Sequence, residues 1–204
     1  MTDDPRRHSP AAQRNRAPIL AELQRLLPES GLMLEIASGT GEHAAHFSAG
    51  LSGWQWQPSD AEAAALPSIV AWCAGLERVR APLRLDVLSA DWPGAPRPVD
   101  AIFCANLIHI APWACCVALM RGAARALAPR GVLITYGPYL EDGVPVSSGN
   151  AAFDADLRSR HVDWGLRRRE DVALEAANAG LTLRERVAMP ANNLLLAWGR
   201  ASNA

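Results

Sequence analysis

The stretch that decides the fold is LMLEIASGTGEH, residues 32–43. Leu32–Ile36 is a short apolar run carrying one carboxylate, Glu35. Ala37, Ser38, Gly39, Thr40 and Gly41 follow, and Glu42 opens a segment with helical spacing through Phe47. A buried strand, a glycine turn and a helix start together form a nucleotide-holding loop. Glycine lets the backbone approach a ligand, and the helix N-terminus favours negative charge.

Outward from this loop the chain alternates between two periods. Upstream, Ile19, Leu20, Leu23, Leu26 and Leu27 recur at helical spacing, which predicts a helix with Pro18 in its first turn and an end near Pro28 and Gly31. Residues 1–13 read as a flexible tail and residues 14–204 as one domain. Downstream, strands are predicted at Trp54–Gln57, Leu83–Val87, Asp100–Ala105 and Val132–Tyr136. Helices are predicted over Asp60–Leu76 with a break at Pro67, Pro112–Leu127 and Glu170–Ala179. Leu181–Val187 and Leu194–Trp198 read as two further strands separated only by AMPANN, residues 188–193. That link is too short for a parallel crossover, so the pair must be antiparallel. The expected fold class is α/β: a single doubly wound, mostly parallel seven-stranded sheet, Rossmann-like, with an antiparallel C-terminal strand.

Composition bounds the function. Half of the 204 residues are hydrophobic and the net charge is −1, which suits a soluble globular protein and points to neither a nucleic-acid nor a membrane partner. The opening MTDDPRRHSPAAQ lacks the apolar centre of a signal peptide, so a cytoplasmic location is expected. Cys73, Cys104, Cys115 and Cys116 form no C-x-x-C pair and read as buried free thiols. All 20 basic residues are arginine. Without lysine there is no P-loop and no Schiff-base chemistry.

Gly39-Thr-Gly41-Glu-His-Ala44 fits the dinucleotide pattern G-x-G-x-x-G/A, with Asp60 near the end of the second predicted strand. Three features favour S-adenosylmethionine (SAM) over a nicotinamide dinucleotide. Glu35 would repel a pyrophosphate, yet it can receive a cationic amino group or order water beside it. The terminal strand is reversed. The length leaves no separate substrate domain, and the missing lysine removes the Tyr-x-x-x-Lys of short-chain reductases. A nicotinamide-dependent reductase stays as the lesser alternative.

EIASGTG, residues 35–41, resembles the first motif of class I SAM-dependent methyltransferases, an acidic residue followed by G-x-G-x-G. Ala37 replaces the first glycine, which is tolerable if its φ stays negative. Gly39 and Gly41 keep the positions of closest approach to the ligand. Longer strings are similar to one small methyltransferase-like family, represented by methyltransferase-like protein 26. They are RNRAPIL (14–20), EIASGTGEHAAHF (35–47), WQPSD (56–60), ANLIHIAPW (105–113), YGPY (136–139), SGNAAFDADLRSR (148–160), WGLR (164–167) and MPANN (189–193). The resemblance implies the methyltransferase fold and SAM binding, and it leaves the acceptor unnamed.

With SAM as ligand, Glu35, Ala37, Ser38, Gly39, Thr40 and Gly41 meet its methionine end, and the following helix start favours the carboxylate. Asp60 holds the ribose hydroxyls or caps the next helix. Asp86, with Val87, accepts from the adenine amino group or closes a turn. Asn106 and Leu107 line the chamber beyond the fourth strand. Arg14 and Asn15 fold over the cofactor or form a solvated arm.

His109 is the candidate general base, or else it shapes the cavity. Tyr136 and Tyr139 join it as catalytic candidates, and with Trp113 they can form an apolar cage for a cation. Trp113, Phe153 and Asn192 are the substrate-binding candidates; Asn192 is equally at home in a turn. His43 and His46 stand three apart on a helix but lack a third ligand, so no metal is expected. The expected activity is in-line methyl transfer to a small-molecule acceptor; the alternative is a non-catalytic SAM-binding protein of the same fold. Nothing in the chain indicates an oligomeric state.

Overall fold

In the computed structural model, which describes residues 4–201, the apolar runs assemble into one seven-stranded sheet. Helix α1 spans Pro10–Leu26 and is followed by β1 (Gly31–Ile36), α2 (Glu42–Gly50), β2 (Trp54–Asp60), α3 (Leu66–Trp72), β3 (Leu83–Arg84) and β4 (Val99–Ala105). Then come α4 (Trp113–Ala126), β5 (Leu127–Gly137), α5 (Ser148–Arg160), α6 (Arg169–Asn178), β6 (Leu181–Met189) and β7 (Asn193–Arg200). The strand order is β3-β2-β1-β4-β5-β7-β6, with β7 antiparallel to both neighbours and the other pairings parallel.

Burial explains the patterns. The central strands are apolar at successive positions because helices cover both faces. On one face, Ile19 and Leu23 of α1 and Phe47 of α2 pack with Trp54, Trp56, Phe103 and Tyr136. On the other, Leu119 and Met120 of α4 and Val172 of α6 pack with Ile102, Leu133 and Trp198. Edge strand β6 has one face solvated and alternates accordingly. Because α2 and α4 lie on opposite faces, the connections leaving β1 and β4 diverge. A crevice must open between them at this topological switch point.

Several expectations change. Helix α1 starts at Pro10, not after residue 13: the Ser9 side chain accepts from the Ala12 N–H and Pro10 takes the first turn. The tail reading thus fails for residues 10–13, and residues 1–3 lie outside the described residues. Arg7 is also tied down, its N–H donating to Ser68 Oγ at 2.9 Å and its carbonyl accepting from the Trp72 indole. Pro18 consequently lies inside α1, where it removes one helical hydrogen bond. Pro67 sits in the first turn of α3 and so starts that helix instead of breaking one. The third strand has two residues, so Asp86 and Val87 fall in the turn beyond it. The segment 148–160 is a helix. Its apolar face is too thin to announce itself, with only Asn150 and Leu157 buried. All four cysteines are free, Cys73 half-buried and the rest buried.

Candidate functional site

The glycine loop is held by its own polar groups. The Ser38 N–H donates to the Ser59 carbonyl at 2.8 Å and Ser68 Oγ donates to the Thr40 carbonyl at 2.6 Å. The Gly39 N–H donates to Asp60 Oδ2 at 2.8 Å, while Asp60 Oδ1 accepts from the Glu62 N–H at 2.9 Å. Asp60 therefore locks the loop and the following turn together. A carboxylate has about four lone-pair sites, so it can still accept ligand hydroxyls.

The loop backbone passes three times through the left-handed region, at Ala37 (φ +55°), Gly39 (+58°) and Gly41 (+92°). The condition of a negative φ at Ala37 is therefore not met, and an L-residue bears the strain of the left-handed turn. The two glycines differ as well. A Cβ on Gly39 would meet only the Ala37 carbonyl oxygen at 4.0 Å, so this face of the loop opens into the crevice. A Cβ on Gly41 would lie 2.7 Å from Ile69 Cα. Gly41 thus serves the packing of α2 on α3, not ligand approach.

Glu35 lies beneath the loop, 1% exposed, where Oε2 accepts from the Trp56 indole N–H at 2.6 Å. Burial pushes its carboxyl up to about 8, against the pull of hydrogen bonds from Trp56 and Ser38. It supports the loop from inside, bonded to Trp56, where the sequence reading has it receive an amino group or order water beside it.

Beyond β2 and β3, Asp86 is exposed and its Oδ1 accepts from the Leu88 N–H in a turn, with Val87 buried beside it. Beyond β4, Asn106 takes φ +61°, a conformation asparagine tolerates. Its N–H donates to the Tyr136 carbonyl at 2.8 Å, tying β4 to β5, and Leu107 packs half-buried alongside.

The N-terminal segment covers the start of α2. Asn15 Oδ1 is 2.7 Å from His43 Nε2. Arg14 is exposed, and an Arg7 guanidinium nitrogen lies 3.4 Å from the Gly39 carbonyl. Glu42, 1% exposed, accepts from the Ser9 N–H at 2.6 Å, Gln13 Nε2 at 3.2 Å and Thr40 Oγ1 at 3.0 Å. The α2 N-terminus therefore already has a carboxylate beside it, and any ligand anion must rely on the arginines. Glu42 is a hub that the sequence signals only as an acid in a first helical turn.

His109 is fully buried, and neither ring nitrogen has a hydrogen-bond partner. Burial, reinforced by the Arg167 charge, takes its imidazole down to about 3. A group of that basicity is a poor general base at neutral pH. Its ring stands edge-on to Tyr139, with centroids 4.8 Å apart. The expected aromatic cage does not assemble. Tyr136 packs on the α1–α2 face, whereas Tyr139 packs on the α4–α6 face and donates its hydroxyl to Thr135.

The substrate-binding candidates are also dispersed. Asn192, at φ +55° in the β6–β7 turn, accepts from Asn150 Nδ2 through its carbonyl and borders a cavity of about 180 Å³ that also includes Tyr139. Trp113 borders a separate cleft, under the Arg167 guanidinium at 5.7 Å. Phe153 is 37% exposed on α5 and borders neither. Gly137 went unnoticed in the sequence, and Arg167, which with Arg168 and Arg169 reads as a solvated helix start, instead donates to the carbonyls of Ile108 and Ala111. Among the described residues no group of three or more His, Cys, Asp or Glu can hold a metal, and no helix is long and apolar enough to cross a membrane. His43 stacks on Phe47 with its imidazole down to about 4 through burial.

Solved structures share this fold. Mitomycin 7-O-methyltransferase MmcR matches with a TM-score of 0.80 at 16% identity, covering 94% of this chain and 54% of that one. Human N-acetylserotonin methyltransferase, solved in complex with SAM, matches at 0.78 and 13%, covering 94% and 53%. An O-methyltransferase family 2 protein from Planctomyces limnophilus, in complex with apigenin, matches at 0.76 and 17%, covering 94% and 60%. The chain thus spans little more than half the length of these proteins, and what it shares with them is the class I methyltransferase fold. Its family is identified by a sequence model that matches residues 6–200: the chain belongs to the family described as "Protein of unknown function (DUF938)".

Proposed function

We propose that the protein is a SAM-dependent methyltransferase of the methyltransferase-like protein 26 type, acting in the cytoplasm on a small-molecule acceptor by in-line transfer. The observation that carries this reading is the Gly39 face of the loop. It is left-handed, clear of side chains, pinned to Asp60 at 2.8 Å and set at the switch point between β1 and β4.

These residues fit the cofactor. The Ser38–Gly39 backbone supplies a bare edge for the methionine portion, and Asp60 retains acceptor capacity for ribose hydroxyls. Asp86 and Val87 stand where an adenine amino group and ring need an acceptor and an apolar wall. Asn106 and Leu107 border the far side, and exposed Arg14 offers a charge for a carboxylate. SAM, when bound, supplies a methyl group already activated by a sulfonium. The chain then has little proton chemistry to perform: His109 is sealed and weakly basic, so the contribution of the fold lies in holding the acceptor in line and excluding water.

Calorimetry with SAM, S-adenosylhomocysteine and NADH is the test. Saturable binding of the two adenosyl compounds and none of NADH is expected, followed by methyl release from labelled SAM when metabolite fractions are supplied. Preference for NADH overturns the reading. The second reading, a SAM-binding protein without turnover, is favoured by the burial of His109, the candidate base. Tight SAM binding with no methyl release across acceptor fractions would establish it.

A further inference from the structure

Between the start of α4 and the segment that leads into α6 lies an open cleft of about 320 Å³. That volume is at the small end of the range for sites that hold small molecules. Trp113 and Leu140 give it apolar walls, and Arg158, Arg167 and Arg168 border it against a single acid, Asp171. The arginines are not equivalent. Arg158 pairs with Asp154 at 2.9 Å, and Arg168 pairs with Asp142 and Asp171. Arg167 makes no ion pair among the described residues. Its guanidinium donates instead to the carbonyls of Ile108 at 3.2 Å, Ala111 at 3.0 Å and Asp163.

Three neutral carbonyls satisfy donors without cancelling the charge. A second cation is held nearby: a Cβ on Gly165 would lie 2.9 Å from Arg158 Cζ, so the glycine gives that guanidinium its place. Burial, and after it the proximity of Arg158, lowers the proton affinity of Arg167, with Asp154 and Asp163 opposing. Helix α4, whose first residue is Trp113, starts with no side-chain cap and no acid in its first turn, adding a positive end to the same wall.

The geometry points to a site for a small aromatic carboxylate, its acid group between Arg158 and Arg167 and its flat apolar body against Trp113 and Leu140. A guanidinium bonds a carboxylate with charge assistance, and because Asp154 already neutralises Arg158, the uncancelled charge that draws the acid is that of Arg167. Arg167 also braces the 108–111 loop, whose His109 carbonyl accepts from the Gly165 N–H at 3.0 Å. As a statement about the acceptor, that it is acidic, this rests on the methyltransferase reading; as a statement about binding it does not.

The test is a titration of the full chain with 2-naphthoate, and with 2-naphthamide as the neutral counterpart. The Trp113 indole N–H resonance, assigned by its loss in Trp113→Phe, reports binding. Saturable shifts with the acid and affinity about tenfold or more weaker with the amide are expected, since charge-assisted bonds dominate recognition. Arg167→Gln is expected to weaken the acid about tenfold and Arg158→Gln severalfold. Equal affinity for acid and amide, absence of saturation, or unchanged affinity in the arginine variants overturns the site. Should Arg167→Gln fail to fold for want of its loop bonds, Arg158→Gln decides alone, since Arg158 does not brace that loop. SAM is titrated in parallel. Acid binding without SAM binding keeps the cleft and removes the methyltransferase reading. SAM binding without acid binding does the reverse.

Discussion

The loops leaving β1 and β4 face each other across the switch point and are built on opposite plans. After β1, the Ser38 and Gly39 N–H groups, the Thr40 carbonyl and both Asp60 carboxylate oxygens have partners. After β4, His109 is fully buried with two unpartnered ring nitrogens. A satisfied polar network in a low-dielectric setting is rigid, and it can present a backbone edge to a ligand without rearranging. An unsatisfied buried imidazole costs free energy and gains nothing from its polarity. The first loop recognises; the second fills space, and its borders rather than its imidazole meet whatever binds beyond it.

The sharpest way to break this contrast is to add one carbon at each glycine of the first loop. At Gly41 the new Cβ would lie 2.7 Å from the Ile69 Cα at a φ of +92°. Overpacking against backbone together with left-handed strain puts the cost of Gly41→Ala on the order of 3 kcal/mol, read as a fall in Tm. At Gly39 the side chain enters open space, so Gly39→Val costs only about 1–2 kcal/mol of backbone strain. It is nevertheless expected to remove SAM binding from the calorimeter's range. Retained SAM affinity in Gly39→Val would refute the cradle, and an unshifted Tm in Gly41→Ala would refute the packing role.

The second loop is probed through Gly137, whose added Cβ would lie 2.5 Å from His109 Nε2. Gly137→Ala is expected to cost about 2–3 kcal/mol, and most of that should vanish in a His109→Ala background, where the two changes stop being additive. His109→Leu, which deletes both orphan nitrogens at similar volume, should alter stability by less than about 1 kcal/mol or raise it. A loss of several kcal/mol on that substitution would reveal a hydrogen-bond partner for the ring and dissolve the contrast.

What the sequence discloses follows the same division. The strand, turn and helix of residues 32–43 are legible because period, glycine content and helix start are local properties, and the reversed terminal pair follows from the length of AMPANN. Facing is harder. Tyr136 lies in β5 and Tyr139 two residues beyond its end, and they pack on opposite faces of the sheet, so proximity in sequence suggests a cage that the chain's course past the strand undoes. The role of Gly41 and the clearance at Gly137 depend on α3 and on His109, contacts that no local pattern encodes. Arg167 reads as one of three consecutive arginines until the fold shows that it alone lacks an acid.

Titration gives a third, smaller handle on the buried groups. Folded Glu35 holds its proton up to about pH 8, whereas its unfolded value is 4.5, so between these the folded state binds more protons and stability falls as pH rises. His109 and His43 do the opposite. Folded they titrate near 3 and 4, unfolded near 6.5, so stability is lost as pH drops below 6.5. Tm is therefore expected to peak near about pH 6.5, and the alkaline limb should fall by about 1–2 kcal/mol by pH 8. Glu35→Gln should flatten that limb. An alkaline limb unchanged by the substitution would mean that Glu35 is ionised beneath the loop, and the neutral support assigned to it would be wrong.

The smallest expected effect concerns Ala37, the position where the chain departs from the glycine pattern. Its φ is +55°, and an L-residue there carries about 1–2 kcal/mol of strain. Glycine would relieve that strain while giving the unfolded chain more freedom, an opposing cost of about 0.5–1 kcal/mol. Ala37→Gly is thus expected to stabilise by less than about 1 kcal/mol. It should leave SAM affinity unchanged, because the open face belongs to Gly39. A Tm that falls instead would mean the alanine methyl, which packs against the α4-side core, contributes more than the strain it imposes. The substitution would then be a packing choice and not a tolerated defect.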